Sequence, residues 1–354
     1  MLVIIGFSAI VVVTVIAVVR SKKPLSLILS EAKYEFLYQI EGTRSMCQDF
    51  IMKKQNKMEL SPKPEKIAVI SGGTRGIGLE VIKMLLKCDM TVILGCRNTA
   101  QGEALVNVFK ENDITTGKLD VYNLDISVMD SVKKFAAVVK EKHPKINYLI
   151  NNAGIMFGPY IETKDGFESQ FATNYLGHFL LSHLLLPELI AAGEEESKSR
   201  IVNVTSCAHR VLGDFKIEDI SKRRRYIEGE AYAQSKLAQI LFTKYLDKHL
   251  KDEKIYVQVH SVHPGIVNTE LFDGTTLKNI APWVPALFFK SPEDGATSVV
   301  HACLSKELEG NGGTYIMNCQ VCPTSKLADS ILLQKKLFEF SNVLLNIQNF
   351  IVGK

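Results

Sequence analysis

Short runs of apolar residues alternate along most of the chain with segments whose apolar residues recur at helical spacing. Runs of strand length occur near residues 67–71, 91–95, 119–124, 146–150, 200–205, 255–262 and 313–318. Between them lie segments such as LEVIKMLLK, whose apolar residues recur at helical spacing. Strands that alternate with helices form parallel sheets, because a parallel neighbour is reached only through a crossover. The pattern therefore predicts a doubly wound α/β domain.

The N-terminus carries a different apolar pattern. Leu2–Val19 is uncharged and near the minimum length of a membrane span, and Arg20 follows it directly. No basic residue precedes the run and Val18–Val19 is a poor cleavage site, so an N-terminal membrane helix is favoured over a cleaved signal peptide. Because the nearby cations follow the run, the rest of the chain is expected on the cytosolic side. Cleavage would instead give a secreted protein.

These patterns divide the chain into four parts. Residues 1–20 are the predicted transmembrane anchor, and 21–65 are an amphipathic segment and a linker. The linker stretch 53–66 carries five lysines and two prolines. The α/β domain covers 66–324. Residues 325–354 form an apolar, periodic tail that either packs on the core, covers a substrate entrance or touches a bilayer.

Charge and cysteine content exclude several classes of function. The net charge of +4 gives no general nucleic-acid footprint. The dense basic run Lys222–Arg225 is read either as a solvated loop or as a contact for anionic lipid head groups. Seven cysteines show no secreted disulfide pattern, and Cys319 and Cys322 form a single CxxC without a second ligand pair. No metal site is expected.

A glycine-rich turn, SGGTRGIG (71–78), connects the first strand to the first helix of the domain. Strand, glycine turn and helix together are typical of dinucleotide binding. Gly72 permits the tight turn, Gly76 lets the backbone approach a pyrophosphate, and Gly78 lets the helix pack closely on the strand. The helix N-terminus provides amide donors and a positive dipole for phosphates.

Tyr232 and Lys236 lie four residues apart in a predicted helix, so their side chains share one face. A cation beside a phenol favours the phenolate and lowers its pKa. The pair is then suited to exchange a proton with an alcohol or carbonyl.

Further polar candidates follow the predicted strands or lie on the next helix. INYLINNAG ends in Asn151–Gly154, IVNVTS ends in Ser206, and VHSVHPGIVNTE contains Pro264–Gly265 and Thr269, while Asn174 lies in a long helix. The carboxyl edge of a parallel sheet is where such folds bind ligands.

With these motifs the chain resembles the short-chain dehydrogenase/reductase family. The resemblance rests on Ser71, Gly72, Gly76, Gly78, Asn151–Gly154, Asn174, Ser206, Tyr232, Lys236 and Pro264–Gly265. It implies a Rossmann fold with a seven-stranded parallel sheet and helices on both faces. The segments CRN, LGHFLL and AYAQSKLA look most like the retinol dehydrogenase branch. They also resemble the X-linked dehydrogenase/reductase (polyprenol dehydrogenase) branch, which acts on long isoprenoid alcohols and aldehydes.

The resemblance also implies roles for individual residues. Tyr232 exchanges the proton, Lys236 lowers its pKa and bonds the nicotinamide ribose, and Ser206 polarises the substrate oxygen. Asn174 holds a water that links Lys236 to solvent; its alternative role is to cap a local kink. The cofactor-binding residues are Ser71, Gly72, Thr74, Arg75, Gly76, Ile77, Gly78, Arg97, Asp125, Asn152, Ala153, Gly154, Tyr232, Lys236, Pro264, Gly265, Val267 and Thr269.

Charge at the second strand bears on cofactor choice. NAD enzymes place an acid there to bond the ribose hydroxyl, whereas here Cys96 occupies the strand end and Arg97 follows. Arg75 adds a second guanidinium in the glycine turn, and two such groups suit a 2′-phosphate. NADP is therefore expected, with NAD as the alternative.

These observations favour a membrane-anchored NADP(H)-dependent oxidoreductase of a lipophilic alcohol and its aldehyde or ketone, such as a retinoid or polyprenol. The expected location is the endoplasmic reticulum membrane, and a homodimer is an option. The alternatives are a nucleotide-binding regulatory protein without catalysis and a secreted soluble reductase.

Overall fold

The computed structural model of the protein describes residues 24–111, 114, 116–220, 226–273 and 283–351. The predicted membrane anchor, residues 1–20, and the basic run Lys222–Arg225 lie outside the described residues.

The centre of the molecule is a sheet with the strand order β3-β2-β1-β4-β5-β6-β7-β8. Its strands are β1 (Ile67–Ser71), β2 (Thr91–Cys96), β3 (Lys118–Asn123), β4 (Tyr148–Asn151), β5 (Ser199–Val204), β6 (Val257–His263), β7 (Tyr315–Met317) and β8 (Gln320–Cys322). Strands β1 to β7 pair in parallel. The predicted doubly wound α/β fold is confirmed.

The sheet has eight strands in the described part of the chain, whereas seven were expected. The additional strand, β8, is antiparallel to β7. Asn318 and Cys319 connect the two strands with φ values of 51° and 59°. Two consecutive left-handed residues form the tight turn that suits a hairpin, so the chain reverses at once and adds an edge strand.

The helices are α1 (Leu25–Ile51), α2 (Gly76–Leu86), α3 (Thr99–Glu111), α4 (Met129–Lys142), α5 (Ser169–Ala192), α6 (Glu228–Asp252), α7 (Trp283–Phe288), α8 (Pro292–Leu304) and α9 (Ile331–Leu344). Along β1, Val69 packs toward one face of the sheet while Ala68 and Ile70 pack toward the other. Helices α4, α5 and α6 cover the first face, and α2, α3 and α8 cover the second. This arrangement brings the carboxyl ends of β1, β4, β5 and β6 to one edge.

Helix α5 is long and apolar enough to cross a membrane, but 72% of its most apolar 18-residue stretch is buried inside the domain. It is the central helix of the core, and among the described residues it alone meets those criteria. Residues Ala172–Leu176 form a π-helical turn within it. Such turns are rare and are frequently found at functional sites.

The tail packs on the core, which was one of its three predicted positions. Phe338 of α9 lies 5.3 Å from the Phe179 ring, and Phe350 lies 4.8 Å from the same ring, measured between centroids. Phe242 of α6 adds a further stacked contact with Phe338. The division of the chain into four parts stays a prediction.

Candidate active site

A cleft of about 920 Å³ opens at the carboxyl edge of the sheet. All eighteen residues predicted to bind cofactor line it, and so does Ser206. Asn174 is the exception, because it lies behind the cleft wall: its Oδ1 would be 3.3 Å from a Cβ placed on Gly154. The fold therefore brings the predicted residues together from the ends of β1 to β6 and from α6.

The glycine turn forms a tight cradle at the start of α2. Gly76 has a φ of +60°, which side chains rarely adopt, and a Cβ on Gly78 would lie 2.3 Å from the Gly72 carbonyl oxygen. The first amides of α2 and its positive dipole therefore border the cleft, as pyrophosphate binding requires.

The neighbouring Asn151–Gly154 turn is held against this cradle by Ser71. The Ser71 hydroxyl oxygen accepts from the backbone amides of Asn152 and Ala153, each at 3.1 Å. The Asn152 side chain in turn donates to the carbonyl oxygens of Ser71 and Gly72. The ends of β1 and β4 are thereby joined at the cleft.

His178 completes this network from α5. Burial lowers the pKa of His178 to about 4, so the ring is neutral at physiological pH. Its Nδ1 lies 3.1 Å from the carbonyl oxygen of Asn174, which can only accept, so Nδ1 carries the proton. Its Nε2 then accepts from the Ser71 hydroxyl at 2.7 Å. Sequence reasoning assigned His178 no role, although a histidine within the apolar LGHFLL segment was a usable signal.

Asn174 lies on the π-helical turn and clamps the backbone of Ile155. Its side-chain nitrogen donates to the Ile155 carbonyl at 3.0 Å, and its oxygen accepts from the Ile155 amide at 2.9 Å. A third bond joins it to the Ser235 hydroxyl at 2.9 Å. Asn174 thus connects α5, α6 and the loop after β4.

Tyr232 and Lys236 share one face of α6, with the lysine Nζ 5.7 Å from the centroid of the phenol ring. Nζ donates to the Val204 carbonyl at 2.9 Å and to the Gln239 side chain at 3.1 Å. Burial lowers the pKa of Lys236 to about 7. Burial raises the pKa of Tyr232, while a hydrogen bond with Ser206 lowers it. The Lys236 amino group is bonded to β5 rather than to the phenol, and its expected lowering of the Tyr232 pKa stays a prediction.

The two predicted arginines line the part of the cleft next to the glycine turn and the end of β2. Arg75 Nε lies 3.4 Å from a carboxylate oxygen of Glu270, so part of its charge is already paired. Arg97 is exposed directly after β2 and forms no ion pair within the described residues. Asp125 Oδ1 accepts from the amide and hydroxyl of Ser127 at 3.0 and 2.6 Å.

The sequence profile described as short chain dehydrogenase matches residues 66–279, which is most of the domain built around this cleft. The chain belongs to the short-chain dehydrogenase family. It is therefore an oxidoreductase of a family that binds NAD(P), and the resemblance drawn from the motifs is confirmed.

Two relatives of this short-chain dehydrogenase are human enzymes. Polyprenol dehydrogenase is 36% identical over 285 residues, covering 79% of this chain and 85% of the relative. Retinol dehydrogenase 11 is 39% identical over 288 residues, covering 80% and 87%. The two branches expected from the sequence are thus both represented.

A solved structure of an uncharacterised protein from Mycobacterium paratuberculosis has the same architecture. It is 31% identical, superposes with a TM-score of 0.65, and the match covers 81% of this chain and 96% of that one.

In the described residues of this dehydrogenase, no group of three His, Cys, Asp or Glu side chains could hold a metal ion.

Sequence reasoning also missed an aromatic residue beside Tyr232 in this dehydrogenase. The ring of Phe157 meets the ring of Tyr232 edge to face, with centroids 5.5 Å apart. Phe157 follows the Asn151–Gly154 motif by three residues, but nothing in its local sequence signals the contact.

Proposed function

We propose that this dehydrogenase uses NADP(H) to interconvert a lipophilic alcohol and its aldehyde or ketone. The observation that carries the proposal is the convergence of Tyr232, Lys236 and Ser206 on the cleft that also contains the glycine cradle. The names of the relatives, polyprenol dehydrogenase and retinol dehydrogenase, support a long apolar alcohol as the substrate class.

The residues present fit a dinucleotide. The start of α2 would hold the pyrophosphate, Arg97 and Asp125 the adenosine end, and Asn152–Gly154 with Lys236 the nicotinamide end. When bound, the nicotinamide supplies or accepts a hydride. Arg97 favours NADP over NAD because its exposed guanidinium suits a 2′-phosphate.

The acid–base chemistry belongs to the chain itself. In reduction, Tyr232 gives its phenolic proton to the substrate oxygen, and Ser206 donates a hydrogen bond to the same oxygen as negative charge develops. In oxidation the proton moves the other way. In its protonated form Lys236 would favour the phenolate that remains, and Asn174 would support a water that returns the proton.

The anchoring of the enzyme is part of the proposal. Residues 2–19 would hold it in the endoplasmic reticulum membrane with the active site in the cytosol, where the reduced setting suits seven cysteines. A lipophilic substrate would partition into the same bilayer. Assembly as a homodimer stays an open prediction.

A substrate screen tests the proposal against the non-catalytic alternative. Full-length protein in detergent is incubated with NADPH and, separately, all-trans-retinal, a polyprenal, a steroid ketone and a short aldehyde. We expect NADPH oxidation with at least one long apolar carbonyl and none with the short aldehyde. NADPH binding without oxidation in every arm would instead support the regulatory alternative.

A further inference from the structure

Helix α1 lies outside the matched family segment, yet it contacts the active site at two places. It precedes residue 66, where the match begins, and covers Leu25–Ile51. Its inward face carries Tyr38, Ser45 and Asp49, whereas Phe36 on the other side is 55% exposed. The helix therefore has one face committed to the domain.

The first contact is with the start of the catalytic helix α6. The Tyr38 hydroxyl donates to the Gly229 carbonyl at 2.8 Å, and the Tyr34 hydroxyl donates to the Glu230 side chain at 2.7 Å. A Cβ on Gly229 would lie 2.9 Å from the Tyr38 ring, so a glycine is needed for this close approach. Tyr38 thereby contacts α6 at Gly229, three residues before Tyr232.

The ring of Tyr38 also connects to Tyr232 through Phe157. Tyr38 and Phe157 meet edge to face with centroids 5.0 Å apart, and Phe157 meets Tyr232 in the same manner at 5.5 Å. Phe157 has a φ of 54°, which is unfavourable for a bulky residue and persists only where the surroundings hold it. Tyr38 packs on Phe157 and helps to hold it in this conformation.

The second contact is with the loop after β6. One carboxylate oxygen of Asp49 accepts from the Ile266 amide at 2.9 Å, and the other accepts from the Asn318 side chain at 2.9 Å. Asn318 in turn accepts from Lys290 at 2.8 Å. Ser45, one turn earlier, lies 2.8 Å from Nε2 of His263. The loop held in this way, Pro264–Val267, lines the cleft.

We propose that Tyr38 and Asp49 are positioning residues of the active site, contributed by a helix outside the family segment. Tyr38 acts through Phe157 on the orientation of the Tyr232 phenol. Asp49 acts through the Ile266 amide on the loop that borders the bound cofactor. The inference rests on the proposed function and adds that the catalytic geometry requires α1.

The test separates the two contacts by their readouts in full-length protein with NADPH and all-trans-retinal. Tyr38→Leu should lower kcat by about 10–100-fold through misplacement of the phenol, with the Kd of NADPH unchanged. Tyr38→Phe keeps the ring and should recover most of kcat. Asp49→Ala should weaken NADPH binding about tenfold or more, because a charge-assisted bond to the loop is lost. Asp49→Asn, which keeps the shape, should show a smaller effect in the same direction.

Phe36→Ala is the matched control, since it truncates a side chain on the exposed face of the same helix. Tyr38→Leu with the kcat of this control, or Asp49→Ala with its NADPH affinity, would overturn the inference. A thermal midpoint that falls equally in Tyr38→Leu and Tyr38→Phe, with equal losses of kcat, would reduce Tyr38 to a structural residue. NADPH affinity is measured without turnover by ligand fluorescence, so failure of the proposed function appears separately, in the wild-type protein.

Discussion

Substitution of Tyr232 tests whether the chain is an oxidoreductase or a protein that only binds nucleotide. Tyr232→Phe removes the phenolic proton and leaves the glycine cradle untouched. Because acid–base groups contribute on the order of 10²–10⁴-fold, kcat should fall by that factor while the Kd of NADPH stays unchanged. Steady-state NADPH oxidation and fluorescence titration measure the two quantities. A variant that keeps more than about a tenth of the wild-type rate would show that another group supplies the proton.

The buried Lys236 side chain lowers the free energy of unfolding by an amount that depends on pH. Its folded-state pKa of about 7 lies below its ordinary value of 10.5, so between these values the unfolded chain binds more protons. The free energy of unfolding should therefore rise with pH through that window, because Lys236 is already neutral in the folded state and the unfolded chain becomes less favourable as its ammonium loses the proton. Lys236→Met lacks the group, and its stability relative to wild type should be greatest below pH 7. Urea unfolding at about pH 6 and about pH 9 measures this, and an identical difference at both pH values would contradict it.

Arg97 is the residue on which cofactor preference should depend. Arg97→Asp replaces the exposed cation with the acid that suits a ribose hydroxyl, and should shift preference from NADPH toward NADH. Loss of a charge-assisted phosphate contact costs about 1.5–3 kcal/mol, which is about 10–100-fold in the ratio of the two kcat/KM values. Arg75→Ala serves as the comparison, because Arg75 is partly paired with Glu270. An unchanged ratio in Arg97→Asp together with a shift in Arg75→Ala would transfer the role to Arg75.

The site residues differ in how far the sequence could predict them. Gly76, Tyr232 and Ser206 belong to local motifs whose spacing has a mechanical reason, and the fold brings all of them to one cleft. Tyr38 and Asp49 could not be found this way, because their partners are about 190 and 217 positions away in the chain. Contacts at such separation leave no periodicity in a single sequence.

At the level of whole elements, the alternation of strands and helices was predictable because short apolar runs mark strands such as β1 and β4, and apolar residues at helical spacing separate them. Strand β8 was not, since it has only three residues, of which Gln320 and Val321 are exposed. An exposed edge strand buries too little to require an apolar pattern. The π-helical turn around Asn174 could not be predicted either, because its residues ATNYL carry no pattern that separates them from the helix on either side.

The packing of helix α9 on the core leads to a prediction about stability. Phe338 is buried against Tyr245 at 4.6 Å and Phe350 at 5.0 Å, between ring centroids. Phe338→Ala should reduce the free energy of unfolding by about 3–5 kcal/mol, as for other large-to-small core changes. Ile331→Ala, at an exposed position of the same helix, should change it by less than about 0.5 kcal/mol. Denaturant titration compares them, and similar midpoints for both variants would mean that the tail contributes little to the core.

For the molecule as a whole, the predicted topology can be tested on intact microsomes. With residues 2–19 as anchor and the active site in the cytosol, added protease should digest the domain without detergent. Resistance until detergent is added would place the domain in the lumen. Release by carbonate would remove the anchor and favour the secreted or peripheral alternatives.

Helix α1 also sets a length scale for the substrate. It begins at Leu25, separated from the predicted anchor by four residues, and Tyr38 lies thirteen residues further along, which at the helical rise is about 20 Å. If the anchor lies in a bilayer, the reactive carbon must come within reach of Tyr232 at up to that height above the lipid. A long isoprenoid could span the gap with its tail still in the membrane, whereas a short alcohol would have to leave the lipid completely. The turnover rate should therefore depend on the chain length of the substrate, and more strongly for enzyme in vesicles than for enzyme in detergent.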